Sequence, residues 1–302
     1  MSSPDADQPP APPPPHEPAT SGAVPTAAAP DDANDLRGLH YRRLLRKPLT
    51  LVLIGLFMLV AAIGGAVGLG PGFGAIGAIA ALLISLLIVF GIADSQAEED
   101  FFRSYAAQRG LELGGRSPLP PTTPLLRKGD DRYAERTLSG VLAEGVEGIL
   151  ALYTYEDETT DSEGNSETNY YRYTVGLVPL PESVAHVPEL YCQRKFGLHA
   201  LEKFEDAFRR SKERVKLESE ALDDKYEIFA GKGQDANWLR QLFAPTFIVW
   251  LTESAPKKFA FELVDGSLCC YVSGHRKKAE ELDEICAATA AVAKRLHDES
   301  TE

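Results

Sequence analysis

Charged residues are absent from one long stretch of the chain. Residues 48–93 contain no Asp, Glu, Lys, Arg or His, and within 49–93 only Thr50 and Ser85 carry polar side chains. About 20 apolar residues in a helix span a hydrocarbon core of about 30 Å. The stretch therefore predicts two membrane spans, at about 49–69 and 74–93, joined by a turn at Pro71. Such apolar spans argue against a path for a polar substrate.

The turn between the predicted spans has the letters of a nucleotide-binding motif. Residues 72–77, GFGAIG, fit G-x-G-x-x-G, and Asp94 follows about 20 residues later. A dinucleotide fold requires a short strand before this motif and a helix with a polar face after it. Both flanks are long and apolar here, so no cofactor is predicted. We instead expect small residues four apart to let the two helices approach closely, at Gly64/Gly68 and Gly74/Ala78.

Basic residues are also missing from the N-terminus. Residues 1–35 contain ten prolines and six acids but no Lys or Arg, which predicts a disordered tail with polyproline II character. Five bases then precede the first span, and the turn between the spans has none. The positive-inside rule places this end, and the region after the second span, in the cytoplasm of a cell-membrane protein. The five bases are predicted contacts for anionic lipids: Arg37, Arg42, Arg43, Arg46 and Lys47.

Cysteine is scarce, and the chain has no C-x-x-C pair, so a zinc knuckle and a thioredoxin-like motif are excluded. We expect buried thiols; whether Cys269, Cys270 or Cys286 is reactive is left open, as is an approach of His275 to Cys270. The histidines do not have metal-ligand spacing, and G-x-S-x-G, Walker and H-E-x-x-H motifs do not occur. No catalytic or metal residue is predicted, and the sequence leans away from an enzyme.

Positive charge is in deficit after the spans. Residues 94–302 hold 38 acids against 26 bases, which disfavours binding to nucleic acid. Six of the acids lie in residues 156–167. An EF-hand frame with Gly164 at its sixth position would place Tyr170 at the twelfth, where a bidentate Glu is needed. A solvated hairpin tip is the favoured interpretation, and weak cation binding by this loop is left open.

Strand patterns dominate the region after the spans. VEGILALYTYE and TNYYRYTVGLVPL are rich in β-branched and aromatic residues, and Asp265-Gly266 suits a hairpin turn. A closing helix at about 276–297 has apolar residues at three- and four-residue spacing. We predict an α+β fold: a two-helix transmembrane hairpin followed by a mainly antiparallel sheet with covering helices. The predicted division is a tail (1–35), a basic segment (36–48), the hairpin (49–93), a helix and Pro-rich connector (94–124), the domain (125–298) and a short tail (299–302).

One aromatic stretch, NWLRQLFAPTFIVWL, has two interpretations. Aromatic residues at this density are more typical of a core, but an exposed subset would form a partner-binding patch. The candidates for such a patch are Trp238, Phe243, Phe247 and Trp250.

Three stretches follow the predicted two-span hairpin: LESEALDDKYEIFA, DANWLRQLFAPTFIVWL and FAFELVDGSLCCYV. With this arrangement the chain resembles a loosely defined group of uncharacterised bacterial membrane proteins. The resemblance covers about 49–298 and implies a cytoplasmic α+β domain but no activity. The leading prediction is a membrane-anchored binding or scaffold protein whose partners are the lipid bilayer and an unidentified protein or a second copy. The alternatives are a membrane-tethered enzyme and an accessory subunit of a membrane transport complex.

Overall fold

The computed structural model describes residues 32–160, 164, 166–195 and 212–301. The predicted tail therefore lies almost entirely outside the described residues, as do Asp161, Glu163 and Asn165 of the acidic loop. The first described element is helix α1, Ala33–Leu45. It begins after Asp32, whose side chain accepts a hydrogen bond from the Asn34 N–H and so satisfies one free donor of the first turn.

Two long helices follow and form a hairpin. Helix α2 is Pro48–Leu69, helix α3 is Pro71–Arg109, and both are long and apolar enough to cross a membrane. Gly70 joins them with φ 109°, a left-handed value that glycine adopts readily. Residues 72–77 form the first turns of α3 and follow a helix, not the strand that a dinucleotide fold requires.

Glycine lets the two helices touch backbone to backbone. A Cβ at Gly65 would lie 2.7 Å from the Phe73 carbonyl oxygen, and one at Gly74 would lie 2.9 Å from that of Ala62. The prediction for Gly74 is therefore confirmed. The prediction for Gly64 and Gly68 was wrong, because no neighbouring atom lies within 4 Å of a Cβ built at either position. The contacts of α2 are instead made at Gly65 and Ala61, and the second contacting glycine of α3 is Gly77, three residues after Gly74.

Helix α3 continues without interruption beyond the predicted end of the second span. No helix breaker occurs between Ala93 and Arg109, so the separate helix expected within 94–124 is part of α3, which ends at Arg109 before Gly110 with φ 65°. Phe101, Phe102 and Tyr105 of its last turns are buried in the main core. The second apolar helix therefore enters the domain as a packed core element.

Within the described part of the chain, nine strands form one sheet, in which every pair is antiparallel. The spatial order is β1-β2-β3-β4-β9-β8-β5-β7-β6. Asp265 and Gly266, with φ 46° and 74°, form the turn between β8 and β9, as predicted. The strands are β1 Glu112–Gly114, β2 Asp131–Ala143, β3 Val146–Thr160, β4 Ser166–Pro179, β5 Glu189–Arg194, β6 Lys212–Val215, β7 Tyr226–Gly231, β8 Ala260–Val264 and β9 Ser267–Ser273.

Helices cover one face of the sheet, as predicted for an α+β fold. Besides the end of α3 they are α4 Glu220–Lys225, α5 Ala236–Leu242, α6 Pro245–Val249 with a π-helical turn Trp250–Ser254, and α7 Ala279–Thr301. Helix α7 lies directly on β4, where Thr289 occupies the space that a side chain at Gly176 would need. Four of the apolar residues that give the predicted spacing are at most 1% exposed: Leu282, Ile285, Val292 and Leu296.

The opposite face of the sheet is covered in part by the segment predicted to be a connector. Leu119, Leu125 and Leu126 are buried there in a second core. Glu262 of β8 is fully buried beneath the segment, and its Oε2 accepts a hydrogen bond from the Leu125 N–H at 3.0 Å. Burial raises the pKa of Glu262. The structure thus differs from the expected connector, because Leu119 within it and Leu125 and Leu126 directly after it pack on the sheet.

Candidate functional site

Four consecutive basic residues join β9 to α7, and each contacts a different part of the fold. We call residues 275–278 (His-Arg-Lys-Lys) the basic loop. Local sequence explains its position, because Ser273 ends the last strand and Gly274 adopts φ 89° before the loop. The loop ends where α7 begins at Ala279. Its contacts bring the apolar hairpin, the sheet and α7 together at one end of the domain.

His275 connects the basic loop to the sheet. Its side chain is 6% exposed, and Nε2 lies 3.1 Å from the Tyr153 carbonyl oxygen. Because a carbonyl oxygen can only accept a hydrogen bond, this contact assigns the proton to Nε2. The other ring nitrogen lies 3.7 Å from the Glu135 carboxylate. Burial lowers the pKa of His275, and the nearby Glu135 opposes that shift. These partners lie on β2 and β3, so the approach to Cys270 considered from the sequence is not the arrangement found.

Lys277 connects the basic loop to helix α3. Its ammonium forms an ion pair with Glu98, and the Arg136 guanidinium of β2 lies 3.4 Å from the same carboxylate. Arg136 also contacts Glu99 at 2.5 Å. The Glu98 side chain is only 14% exposed, so solvent screens these contacts less than those of a surface pair. Five residues after Ala93, where the uncharged stretch ends, the helix is thus fixed to the sheet.

Lys278 connects the basic loop to helix α1. Its ammonium lies 3.7 Å from the Asp32 carboxylate, and the two residues also form an isolated antiparallel β-bridge. Helix α1 in turn contacts α3, because the Arg37 guanidinium lies 2.5 Å from Asp94 and 5.4 Å from the centre of the Phe90 ring. Helix α1, which precedes the apolar hairpin, and the part of α3 that follows the apolar stretch are therefore held by adjacent residues of one loop, Lys278 and Lys277.

A groove opens beside the basic loop, between α7 and the segment formed by residues 250–257. Its volume is about 770 Å³. The buried residues Val272, Ile285 and Ala288 form its floor, and the partly buried Trp250 lines its wall. Charged side chains surround this apolar surface. We call this cleft the α7 groove, and its remaining lining residues include Glu253, Lys257, Arg276, Lys278, Glu280 and Glu284.

The four aromatic candidates for a partner-binding patch have different positions. Trp238, Phe243 and Phe247 are buried in the main core, where the Trp238 indole N–H donates to the Glu299 carbonyl at 2.9 Å. Trp250 stacks on Phe247 with ring centres 5.5 Å apart and borders the α7 groove. Only Trp250 among the four therefore has a face next to an open cleft.

The five bases predicted to contact lipid divide into two groups. Arg37 is engaged with Asp94 and Phe90, as described above. The other four lie at the end of α1 and the start of α2, and all are exposed: Arg42, Arg43, Arg46 and Lys47.

The cysteines are all free and buried. Burial raises the pKa of Cys192, Cys269 and Cys270, and it raises the pKa of Cys286 to about 11. Because the thiolate is the nucleophilic form, this environment disfavours reactivity. Among the described residues, no group of three or more His, Cys, Asp and Glu side chains is placed to hold a metal ion.

Sequence reasoning missed the basic loop and the groove beside it. The signal for the loop was present as four consecutive basic residues between a strand and a helix in an otherwise acidic region. The signal for the groove was weaker, because the spacing of the aromatic residues did not show which of them borders a cleft.

Comparison with protein-family models finds no match, and neither does comparison with curated proteins. Among solved structures, the chain is similar to the crystal structure of the mycobacterial trehalose monomycolate transport factor A, TtfA. The identity is 10%, the match covers 65% of this chain and 90% of that one, and the TM-score is 0.39. A similarity at this level supports no inference about function.

Proposed function

We propose that the protein is a membrane-anchored binding protein, in which a two-span hairpin holds a cytoplasmic α+β domain at the bilayer and the α7 groove receives a partner. The observation that carries this proposal is the continuity of α3. The helix runs from the second apolar segment into the main core, where Phe101 and Phe102 are at most 1% exposed. A domain attached in this way keeps one orientation relative to the membrane, which suits presentation of a binding surface.

The charge distribution supports the cytoplasmic orientation. The exposed bases at the end of α1 precede the first span, and the turn at Gly70 is uncharged. Lys and Arg concentrate at the cytoplasmic ends of membrane spans. Each exposed base near an anionic leaflet contributes about 1 kcal/mol of attraction. We therefore assign Arg42, Arg43, Arg46 and Lys47 to the lipid headgroup layer, and both termini to the cytoplasm.

The composition of the groove supports binding. Recognition surfaces combine an apolar centre with a polar rim, and the α7 groove has buried apolar residues beneath carboxylates and bases. The basic loop lines the groove through Arg276 and Lys278, so an occupant would lie against the same loop that holds α1 and α3. The alternatives of a membrane-tethered enzyme and of a transport subunit stay predictions from the sequence.

Photo-crosslinking in native membranes tests this proposal. A photoreactive amino acid at Ala287, which is exposed and lines the groove, should give a discrete protein adduct. The same amino acid at the exposed Lys232, on the β7–α5 connection, should not. Ala291→Trp, which places an indole in the groove, should remove the adduct. A chain that folds and inserts but gives no adduct from Ala287, or equal adducts from both positions, would contradict the proposed binding role.

A further inference from the structure

We propose that the occupant of the α7 groove is a basic amphipathic helix supplied by the cytoplasmic juxtamembrane segment of another membrane protein. This inference rests on the proposed function and adds the chemistry of the partner. Three features of the groove carry it: an apolar floor, rim carboxylates that make no ion pair with any described residue, and a position next to the loop that holds the membrane helices.

The floor of the groove suits apolar side chains from one face of a helix. Val272 and Ile285 are each 1% exposed, and Ala288 and Ala291 leave open the space that larger side chains at these positions would fill. Trp250 provides an aromatic wall. Peptide helices that bind in grooves insert apolar residues at three- and four-residue spacing and keep their polar face at the rim.

The rim determines the charge of that polar face. Glu281 forms an ion pair with Arg276, and Lys278 lies against Asp32. Three carboxylates that line the groove make no ion pair within the described ranges: Glu253, Glu280 and Glu284. Of the bases that line it, only Lys257 makes no ion pair within those ranges. Three carboxylates against one base leave the rim negative. Complementary potentials favour a partner with Lys and Arg and disfavour an acidic one.

The position of the groove determines where such a segment comes from. Arg276 and Lys278 line the groove, and their loop holds Glu98 of α3 and Asp32 before α1. The groove thus begins at the end of the domain that is attached to the apolar hairpin. Lys- and Arg-rich segments concentrate next to the cytoplasmic ends of membrane spans. Basic juxtamembrane segments of other membrane proteins therefore have the required charge and also lie close enough to reach the groove.

A binding experiment on the full-length protein in zwitterionic nanodiscs tests the inference. The probe is a fluorescent helix-forming 14-residue peptide of Leu and Lys, and empty nanodiscs give the lipid background. The matched probe replaces every Lys with Glu. We expect saturable binding of the Leu–Lys peptide and no binding of the Leu–Glu peptide. Equal binding of both peptides, or no binding above that to empty nanodiscs, would overturn the inference.

Two sets of variants locate the site. Glu253→Gln, Glu280→Gln and Glu284→Gln together should weaken the Leu–Lys peptide about tenfold or more. A control with the same change in charge, Glu112→Gln, Glu158→Gln and Glu167→Gln, replaces exposed acids outside the groove and should change binding less than twofold. Ala291→Trp should abolish binding without changing charge. Equal effects of the two triple variants would show a general charge effect and reject the groove as the site.

The outcomes separate this inference from the proposed function. If photo-crosslinking from Ala287 gives its adduct while the peptide does not bind, the protein binds a partner but the partner is not a basic helix. If neither experiment succeeds on folded protein, both proposals fail. An adduct from Ala287 that consists of two copies of this chain would identify self-association and reject a basic partner.

Discussion

Lys277 and Glu98 form an ion pair between the loop that follows the last strand and the helix that continues from the second apolar segment. The two residues are 179 positions apart in the chain. Arg136 approaches the same carboxylate, so three elements meet at one partly buried negative charge. This contact fixes the sheet to α3 at a point just outside the apolar stretch. The orientation of the domain should therefore depend on it.

The first prediction concerns this ion pair. Glu98→Gln leaves Lys277 and Arg136 without their shared carboxylate in a partly buried site, and we expect a loss of about 1–3 kcal/mol in the free energy of unfolding. Denaturant unfolding of the full-length protein in detergent measures the change. Arg103→Gln is the control, because its pairs with Glu99 and Asp100 lie on the surface and are worth under about 1 kcal/mol. Equal effects of the two substitutions would contradict a special role for Glu98.

The second prediction concerns helix packing in the hairpin. Gly65→Val places a side chain against the Phe73 carbonyl, whereas a side chain at the adjacent Gly64 meets no neighbouring atom within 4 Å. We expect Gly65→Val to separate the helices and Gly64→Val to leave them in place. Spin labels at the exposed positions Ile63 on α2 and Ile76 on α3 leave the contact intact, and the distance between them, measured by pulsed electron paramagnetic resonance, reports the separation. Equal distances in the two variants would show that this contact is not close.

Local sequence was sufficient to predict the elements that local physics controls. The two apolar helices, the Asp265-Gly266 hairpin and the buried face of α7 follow from composition, turn chemistry and periodicity. Contacts between distant residues were not predictable in this way. Leu125 and Glu262, which hold the connector on the sheet, are 137 positions apart. The partners of the basic loop were equally hidden, because nothing near Lys277 in the sequence indicates that it pairs with Glu98.

The third prediction concerns pH. Burial raises the pKa of Glu262 in the folded protein above its unfolded value of about 4.5. The folded state therefore binds the Glu262 proton more tightly than the unfolded state does. This difference stabilises the folded protein fully below about pH 4.5, and the stabilisation is lost as the pH rises through the folded pKa. Glu262→Gln removes this titration but keeps an acceptor for the Leu125 N–H. We expect the melting temperature of the variant, relative to the native sequence, to rise between pH 4.5 and 7.

The pH experiment needs a control for general carboxylate effects. Glu112 is exposed on β1, so Glu112→Gln should change the melting temperature by a similar small amount at every pH. The quantity compared is the difference in melting temperature between Glu262→Gln and the native sequence. If that difference stays constant from pH 4.5 to 7, the folded and unfolded pKa values of Glu262 are alike.

The fourth prediction concerns topology. If the bases at the end of α1 lie in the cytoplasm, a cysteine at Gly72, which is exposed in the first turn of α3 beside the Gly70 junction, should react with an impermeant thiol reagent in intact cells. One at Gly164, between β3 and β4, should react only after the cells are opened. The four native cysteines are buried and provide a low background. Labelling of Gly164→Cys in intact cells would place the domain on the outside and reverse the assignment.

The last prediction concerns where the independently folding domain begins. The sequence predicted a domain of residues 125–298 after a separate helix and connector, but Phe101, Phe102 and Tyr105 of α3 are buried in the main core. A fragment that starts at 112 loses these three side chains, and removing one buried Phe typically costs about 3–5 kcal/mol. Total stabilities are about 5–15 kcal/mol. We therefore expect residues 95–302 to unfold cooperatively and residues 112–302 not to. A double variant of the longer fragment, Phe101→Ala with Phe102→Ala, should behave like the shorter fragment in thermal melts followed by near-UV circular dichroism. If the shorter fragment melts at the same temperature as the longer one, α3 is only a tether and does not belong to the folded domain.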